Sequence, residues 1–337
     1  AASDLIALDN KTSVTIDATA ITTITGTGAQ VATVAAASGI STSTNYLATL
    51  SGTSTISDVN IVTGDTTGIV TAIVTADTAA NLNTGLSNAT ATDALTLTVN
   101  GATATASDLI SLDGKTSVAI SVTATAVSGL YADLTTVYVT NASSYTKLGD
   151  ENVTITDTQS ATNVNTILNK TSGIVTATVS ADTAANLNTN LVNATATDVL
   201  TLTVSAGSVA ATDLTALDNK TSVAVNAAAV TALIGTAAEI QAAYTANIAG
   251  TISGLGNENI SISDTGTLAS STITSLDVST TGTITLNGAG SLVLTTTSGQ
   301  TLDLSGVTNS LSGTLSITDS TGNETITGTS ANDTLTL

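Results

Sequence analysis

The stretch SDLIALDNKTSV, residues 3–14, decides the fold because it returns twice along the chain. It recurs as SDLISLDGKTSV at 107–118 and as TDLTALDNKTSV at 212–223, so the starts lie 104 and 105 residues apart. A second segment, ADTAANLNT at 76–84, recurs at 181–189. Repetition at a fixed period is typical of arrays in which each structural unit packs against the next.

Each long repeat divides into shorter units that hold one strand-like run and one short amphipathic stretch. Most strand starts are about 22 to 25 residues apart, and a longer unit of about 33 to 36 residues occurs once per long repeat. Strands joined by helical crossovers should run parallel, with right-handed connections. Ser3, Ser107 and Thr212 each precede an Asp, and we predict that they are helix N-caps.

The pattern changes near Asn287, where the helical spacing ends. Short strand-like runs then follow at intervals of about 9 to 12 residues, separated by glycines, which predicts a narrow parallel β-helix over 287–337. The predicted fold is therefore a repeat solenoid: a right-handed parallel α/β solenoid over 1–286 that passes into an all-β parallel β-helix at the C-terminus. The related repeats of the first part are placed at about 3–106, 107–211 and, as a partial copy, 212–286.

The composition limits both the core and the partners. The 337 residues include no Phe, Trp, Met, Cys, His or Pro, and five tyrosines are the only aromatic residues. A core of small aliphatic side chains suits thin stacked units better than a large rounded domain. Five lysines and no arginine stand against 25 acidic residues, for a net charge of -20. With so few basic side chains the protein cannot neutralise the phosphates of a nucleic acid, which excludes nucleic-acid binding. No apolar run is long enough to insert into a membrane.

The chain lacks two groups that enzymes commonly use: it has no histidine to act as an imidazole base and no cysteine to act as a thiolate nucleophile. A parallel β-helix polysaccharide lyase is the enzyme alternative, but such enzymes use an Arg or Lys base, and only Lys147 stands outside a repeated turn. Equivalent Lys-Thr-Ser turns hold Lys11, Lys115, Lys170 and Lys220. We interpret these four as cations that compensate helix C-termini; a row of cations facing an acidic neighbouring filament is the alternative. We expect no enzymatic activity.

The segment NETITGTSANDTL at 323–335 resembles the opening of the calcium-binding arrays of hemolysin-type (RTX) proteins. In those arrays Gly/Asp-rich nonapeptides stack in a parallel β-roll. Gly328, Asn332, Asp333 and Leu335 match the lead-in G-T-x-x-N-D-x-L, whereas the paired glycines are missing. The resemblance implies Ca²⁺, which needs six or more oxygen ligands; ordinary β-corner residues are the alternative interpretation. The candidate ligands are Asp319, Asn323, Asn332 and Asp333.

The phrases GDENVTITDT at 149–158 and LGNENISISDT at 255–265 are similar to repeats of very large cyanobacterial surface proteins. The Thr/Ala-rich composition without Cys resembles secreted bacterial surface-layer proteins and RTX-type adhesins. These resemblances imply secretion, a cell-surface location and self-assembly with copies of the same chain.

We therefore expect an extracellular structural protein of a surface layer, sheath or filament, with the stalk of a large RTX-type adhesin as the alternative. Cell-surface polysaccharide is a further expected partner. Neither end of the sequence reads as a capping repeat, which predicts either a longer parent chain or end-to-end contact between copies.

Overall fold

Short helices alternate with short strands along most of the chain. The computed structural model describes residues 1–318, 322, 324–331 and 333–336. The α-helices are α1 (Ala2–Asp9), α2 (Gly28–Ala35), α3 (Ile56–Asp65), α4 (Ala79–Gly85), α5 (Ala106–Asp113), α6 (Tyr131–Thr135), α7 (Ala161–Leu168), α8 (Ala184–Asn190), α9 (Ala211–Asp218), α10 (Ala237–Ala249) and α11 (Ser270–Ser279). After α6 the chain continues as a π-helix (Thr136–Thr140) and a 3₁₀ helix (Ala142–Ser144).

The strands are short and rich in Thr, Val, Ile and Leu, which suit a pleated surface. They are β1 (Ile16–Ala18), β2 (Thr23–Thr27), β3 (Ile40–Thr42), β4 (Leu47–Ser54), β5 (Val70–Val74), β6 (Ala94–Thr96), β7 (Thr98–Val99), β8 (Thr103–Thr105), β9 (Ile120–Val122), β10 (Ala126–Gly129), β11 (Tyr145–Thr146), β12 (Asn152–Ile155), β13 (Val175–Thr178), β14 (Val199–Thr201), β15 (Gly207–Ala210), β16 (Val225–Asn226), β17 (Val230–Gly235), β18 (Ile252–Ser253), β19 (Asn259–Ile262), β20 (Gly266–Ala269), β21 (Ile284–Leu286), β22 (Leu292–Thr295), β23 (Thr301–Asp303), β24 (Val307–Asn309), β25 (Leu315–Thr318), β26 (Thr325–Thr327) and β27 (Thr334–Thr336).

Threonine caps the start of many helices. Before α2, α3, α4, α5, α8 and α10 a threonine hydroxyl accepts a hydrogen bond from the backbone N–H three residues later. For α5 the cap is Thr105, whose hydroxyl lies 3.2 Å from the backbone nitrogen of Asp108. The predicted caps Ser3, Ser107 and Thr212 are wrong, because each is the second residue of its helix. The N-cap lies three positions before the Asp; it is Thr105 for α5 but an alanine for α1 and α9, where no side-chain cap hydrogen bond forms.

The first compact unit comprises residues 1–157 and 166–176. Its strands pair in parallel ladders in the orders β1-β3, β2-β4-β5-β6, β7-β9-β11 and β8-β10-β12-β13. In the last ladder Val127, Val153 and Val175 lie opposite one another, and all three are fully buried. Stacked branched side chains of this kind supply a thin core without large aromatics.

The second compact unit comprises residues 158–165 and 177–337. Its parallel ladders follow the orders β15-β17-β19-β21-β24, β16-β18, β20-β22-β25-β27 and β23-β26. Leu233, Ile260 and Ile284 lie opposite one another in the first of these ladders and are buried. After α11 the described elements are strands. Parallel strands alternating with short helices confirm the predicted α/β class.

Candidate functional site

The repeated phrase GDEN contains a buried carboxylate that closes a turn. Glu151 accepts hydrogen bonds through Oε2 from the backbone nitrogens of Gly149 at 2.7 Å and Asp150 at 3.2 Å. Its other carboxylate oxygen accepts a hydrogen bond from the hydroxyl of Tyr138. Burial, followed by this hydrogen bond to the carboxylate, raises the pKa of Tyr138 well above its usual range. The glutamate therefore has a structural role that its position in the sequence does not reveal.

The phrase GNEN builds the same arrangement in the second unit. Glu258 is 1% exposed and accepts hydrogen bonds from the backbone nitrogens of Gly256 at 2.8 Å and Asn257 at 3.1 Å. The hydroxyl of Tyr244 donates to its other oxygen. A buried carboxylate is tolerated where charge-assisted hydrogen bonds replace its water. We infer that the phrase recurs because this turn needs its glutamate.

A threonine turn ties each of these glutamates to the next strand. The hydroxyl of Thr171 donates to the carbonyl oxygen of Glu151 at 2.6 Å and accepts a hydrogen bond from the backbone nitrogen of Gly173 at 3.0 Å. Thr280 bonds the carbonyl oxygen of Glu258 at 2.6 Å in the same way. A Cβ at Gly173 would collide with that carbonyl of Glu151, so the turn requires glycine there. The Thr-x-Gly pattern therefore serves to hold the backbone of this turn.

Two of the repeated lysines bond to the end of an earlier helix. Lys115 donates to the carbonyl oxygen of Leu86 at 2.9 Å, and Lys220 donates to that of Leu191 at 2.8 Å. Both leucines are the C-caps of their helices, α4 and α8. Burial lowers the pKa of Lys220. These contacts agree with the interpretation of the lysines as helix C-terminal cations.

Of the four predicted calcium ligands, Asp333 lies within the described residues. Asp319, Asn323 and Asn332 lie outside the described residues. The carboxylate of Asp333 accepts hydrogen bonds from the backbone nitrogen of Thr329 at 2.6 Å and from its hydroxyl at 2.9 Å. Across the described part of the chain, no three His, Cys, Asp or Glu side chains converge on a metal position. Asp333 alone does not fit Ca²⁺, which needs six or more oxygens, and the calcium site stays a prediction.

Two concave surfaces of the first unit share Lys147 and Leu148. A groove of about 690 Å³ is lined by these two residues together with Thr123, Thr125 and Asp150, among others. A smaller cavity of about 150 Å³ shares the same two residues. Its other lining residues are Val137, Tyr138, Ala142, Tyr145 and Lys170.

The polar groups of the smaller cavity are unusual. Lys147 has a backbone φ of 63°, a left-handed conformation shown by no other non-glycine residue in the described ranges. Tyr145 is 6% exposed, and its hydroxyl has no hydrogen-bond partner. Burial, and secondarily the negative charge of Asp113, raise the pKa of Tyr145. Lys147 and Lys170, which also line this cavity, are exposed at the surface.

Within the described residues, no helix has the length and apolar character that spanning a membrane requires. Comparison of the chain with models of protein families, with curated proteins and with solved structures finds no match.

Proposed function

We propose that this chain is an extracellular, non-enzymatic structural protein whose strands and helices form a right-handed solenoid, with an all-β end over 287–337. Copies of it would associate into a surface layer, sheath or filament. The observation that carries the proposal is the parallel register inside each unit: Ile16 lies opposite Ile40, and Ile260 lies opposite Ile284, both 24 residues further along the chain. Each ladder thus takes one strand from each successive interval of that length, as stacked coils require.

The chemistry of the turns supports the same proposal. Glu151, Glu258 and the threonines that follow them direct their polar groups into the backbone of the same unit. Side chains used in this way stabilise stacked coils and are not available to a substrate. A chain without His, Cys or Arg also lacks the groups that most enzymes use for acid–base or nucleophilic catalysis.

An exposed apolar surface in the second unit supports lateral association between copies. Ile248 on α10 is 82% exposed and Val278 on α11 is 84% exposed. Both line one groove of about 630 Å³ whose other walls are Ser, Thr, Gln and Gly residues. Exposed apolar side chains grouped on neighbouring helices are typical of protein contact surfaces. With a net charge of -20, copies would also need cations to reduce their repulsion, for which Ca²⁺ is the expected candidate.

Electron microscopy of the purified chain tests this proposal. With Ca²⁺ present we expect regular arrays or filaments of contacting rods, and with a chelator we expect their loss. The double variant Ile248→Ser/Val278→Ser should assemble less than the original chain, whereas Val192→Ser, which also removes an exposed apolar side chain, should not. Isolated, unbranched rods under every condition would favour the adhesin-stalk alternative. Compact particles without an elongated axis would contradict both.

A further inference from the structure

Two asparagines of the chain are each followed by a glycine. The pairs are Asn100-Gly101 in the first unit and Asn287-Gly288 in the second. An asparagine side chain can react with the backbone nitrogen of the next residue, and glycine, which has no Cβ, obstructs this approach least. Asparagine is accordingly among the thermolabile residues of proteins. Whether such a pair reacts depends on how firmly the fold holds it.

Asn100 and Gly101 lie on the surface, in the turn between β7 and β8. Both residues are exposed. The backbone nitrogen of Asn100 donates to the carbonyl oxygen of Asp77 at 3.0 Å, which anchors the start of the turn. Among the described residues, neither the carboxamide of Asn100 nor the backbone nitrogen of Gly101 has a hydrogen-bond partner. No protein contact therefore occupies the two groups that would react.

The backbone of this turn is held weakly after its first residue. Gly101 has a φ of 102°, in the left-handed range that favours glycine. Its carbonyl oxygen accepts a hydrogen bond from the backbone nitrogen of Thr125 at 3.4 Å, which is long for such a bond. A Cβ at Gly101 would meet one methyl group, that of Thr78, at 3.4 Å. The peptide group between Asn100 and Gly101 therefore has space in which to rotate.

The fold does not require this pair of residues. In the next long repeat, Asn100 and Gly101 correspond to Ser205 and Ala206. The backbone nitrogen of Ser205 donates to the carbonyl oxygen of Asp182 at 2.9 Å, as that of Asn100 does to the equivalent residue of its own repeat. The same coil thus forms with residues that cannot undergo this reaction.

The second pair is held more firmly. Gly288 is buried, and a Cβ there would lie 2.2 Å from the carbonyl oxygen of Asp264. The carbonyl oxygen of Gly288 accepts a hydrogen bond from the backbone nitrogen of Ser312 at 3.3 Å, and the backbone nitrogen of Asn287 donates to Ile262 at 2.7 Å. Rotation of this peptide group requires the coil to open locally, which costs free energy.

We propose that Asn100 is a site of spontaneous deamidation. The backbone nitrogen of Gly101 loses its proton to hydroxide and bonds to Cγ of Asn100. The bond between Cγ and Nδ2 then breaks, and ammonia leaves, so that a cyclic succinimide remains. One water molecule opens the ring at either of its carbonyls. One opening restores the peptide bond and gives aspartate, and the other gives isoaspartate, whose backbone runs through Cγ.

The reaction changes both the charge and the geometry of the turn. Either product carries a carboxylate in place of a neutral amide, which adds a negative charge to a chain whose net charge is -20. Isoaspartate also lengthens the backbone next to the hydrogen bond between Asn100 and Asp77. The site does not depend on self-assembly, so its test is made on unassembled protein and leaves the proposed function untouched.

Incubation of the folded chain at mildly alkaline pH, below the range in which the tyrosines titrate, tests the site. Proteolysis and mass spectrometry then follow each peptide. We expect the peptide with Asn100 to gain the mass difference between an amide and a carboxylic acid and to separate into aspartate and isoaspartate forms. The peptide with Asn287 should react at least about tenfold more slowly. In denaturant the two rates should become similar, because neither pair is then held.

Two variants check the chemistry. Asn100→Ser, which carries the residue of the next repeat, should show no mass gain in this peptide and an unchanged Tm. Gly101→Ala/Ala102→Gly gives the turn the order Ala-Gly found at 206–207. It keeps Asn100 but places a Cβ beside the attacking nitrogen, and should react at least about tenfold more slowly than the original chain.

An unchanged mass of the Asn100 peptide in the folded chain, with or without reaction in denaturant, would overturn the site. Equal rates for Asn100 and Asn287 in the folded chain would overturn the argument that the fold selects between them. An undiminished rate in Gly101→Ala/Ala102→Gly would show that the nitrogen of Gly101 is not the attacking group.

Discussion

Replacement of Glu258 by Ala is expected to lower the free energy of unfolding of the second unit by about 3 kcal/mol. The carboxylate accepts the backbone N–H groups of Gly256 and Asn257 and the hydroxyl of Tyr244. Its removal takes this acceptor from the buried hydroxyl of Tyr244, which is unfavourable by about 1 to 3 kcal/mol. It also removes the hydrogen bonds from the less buried backbone nitrogens of Gly256 and Asn257, each of which contributes about 0.5 to 1.5 kcal/mol. Denaturant unfolding followed by circular dichroism measures the change.

A matched control separates this effect from the loss of one negative charge. Asp277 on α11 is exposed, and Asp277→Ala should change the free energy of unfolding by no more than about 0.5 kcal/mol. Tyr244→Phe, which removes one of the three donors, should give an intermediate loss. Equal unfolding midpoints for Glu258→Ala and Asp277→Ala would show that the buried carboxylate does not hold the turn.

Alkaline pH is expected to destabilise the first unit more strongly than the second. Burial raises the pKa of Tyr46, Tyr138 and Tyr145 in the first unit, and of Tyr244 in the second, above the value near 10 of an unfolded chain. The folded chain therefore keeps protons that the unfolded chain releases. The stabilisation is fully present below about pH 10 and is lost as the pH rises towards the folded values.

The slope of this loss gives a quantitative test. Above about pH 10 one such tyrosine contributes up to about 1.4 kcal/mol per pH unit, so the first unit should lose up to about 4 kcal/mol per unit against up to about 1.4 for the second. Denaturant unfolding between pH 9 and pH 11.5 measures both slopes. Tyr145→Phe should reduce the slope of the first unit by about a third without lowering stability at pH 7, because its hydroxyl has no partner. Stability that is independent of pH across this range would contradict the assignment.

The parallel α/β class could be predicted because it depends on repetition and periodicity, which the sequence displays directly. The role of Glu151 could not, since its partner Tyr138 lies 13 residues away and is brought close only by the fold. The helix starts were misplaced because Ser107 and Thr105 both suit an N-cap, and only backbone geometry decides between them.

Part of the evidence for the cavity at Lys147 can be obtained from the sequence alone. Alignment of residues 145–151 with residues 252–258 shows that Lys147 corresponds to Gly254. Lys147 is also the one lysine that lies outside the repeated Lys-Thr-Ser turns. The left-handed backbone, the unpaired hydroxyl of Tyr145 and the approach of Lys170 depend on tertiary structure. The calcium site implied by the RTX resemblance remains a prediction, because Asp333 is the one candidate ligand within the described residues.

Fibre diffraction from oriented assemblies tests most directly whether parallel coils stack into rods that assemble. Stacked coils place neighbouring strands about 4.8 Å apart along the rod. We predict a meridional reflection at about that spacing, with strands perpendicular to the filament axis. The absence of this reflection, or its appearance on the equator, would show that the strands do not stack along the filament and would contradict the account.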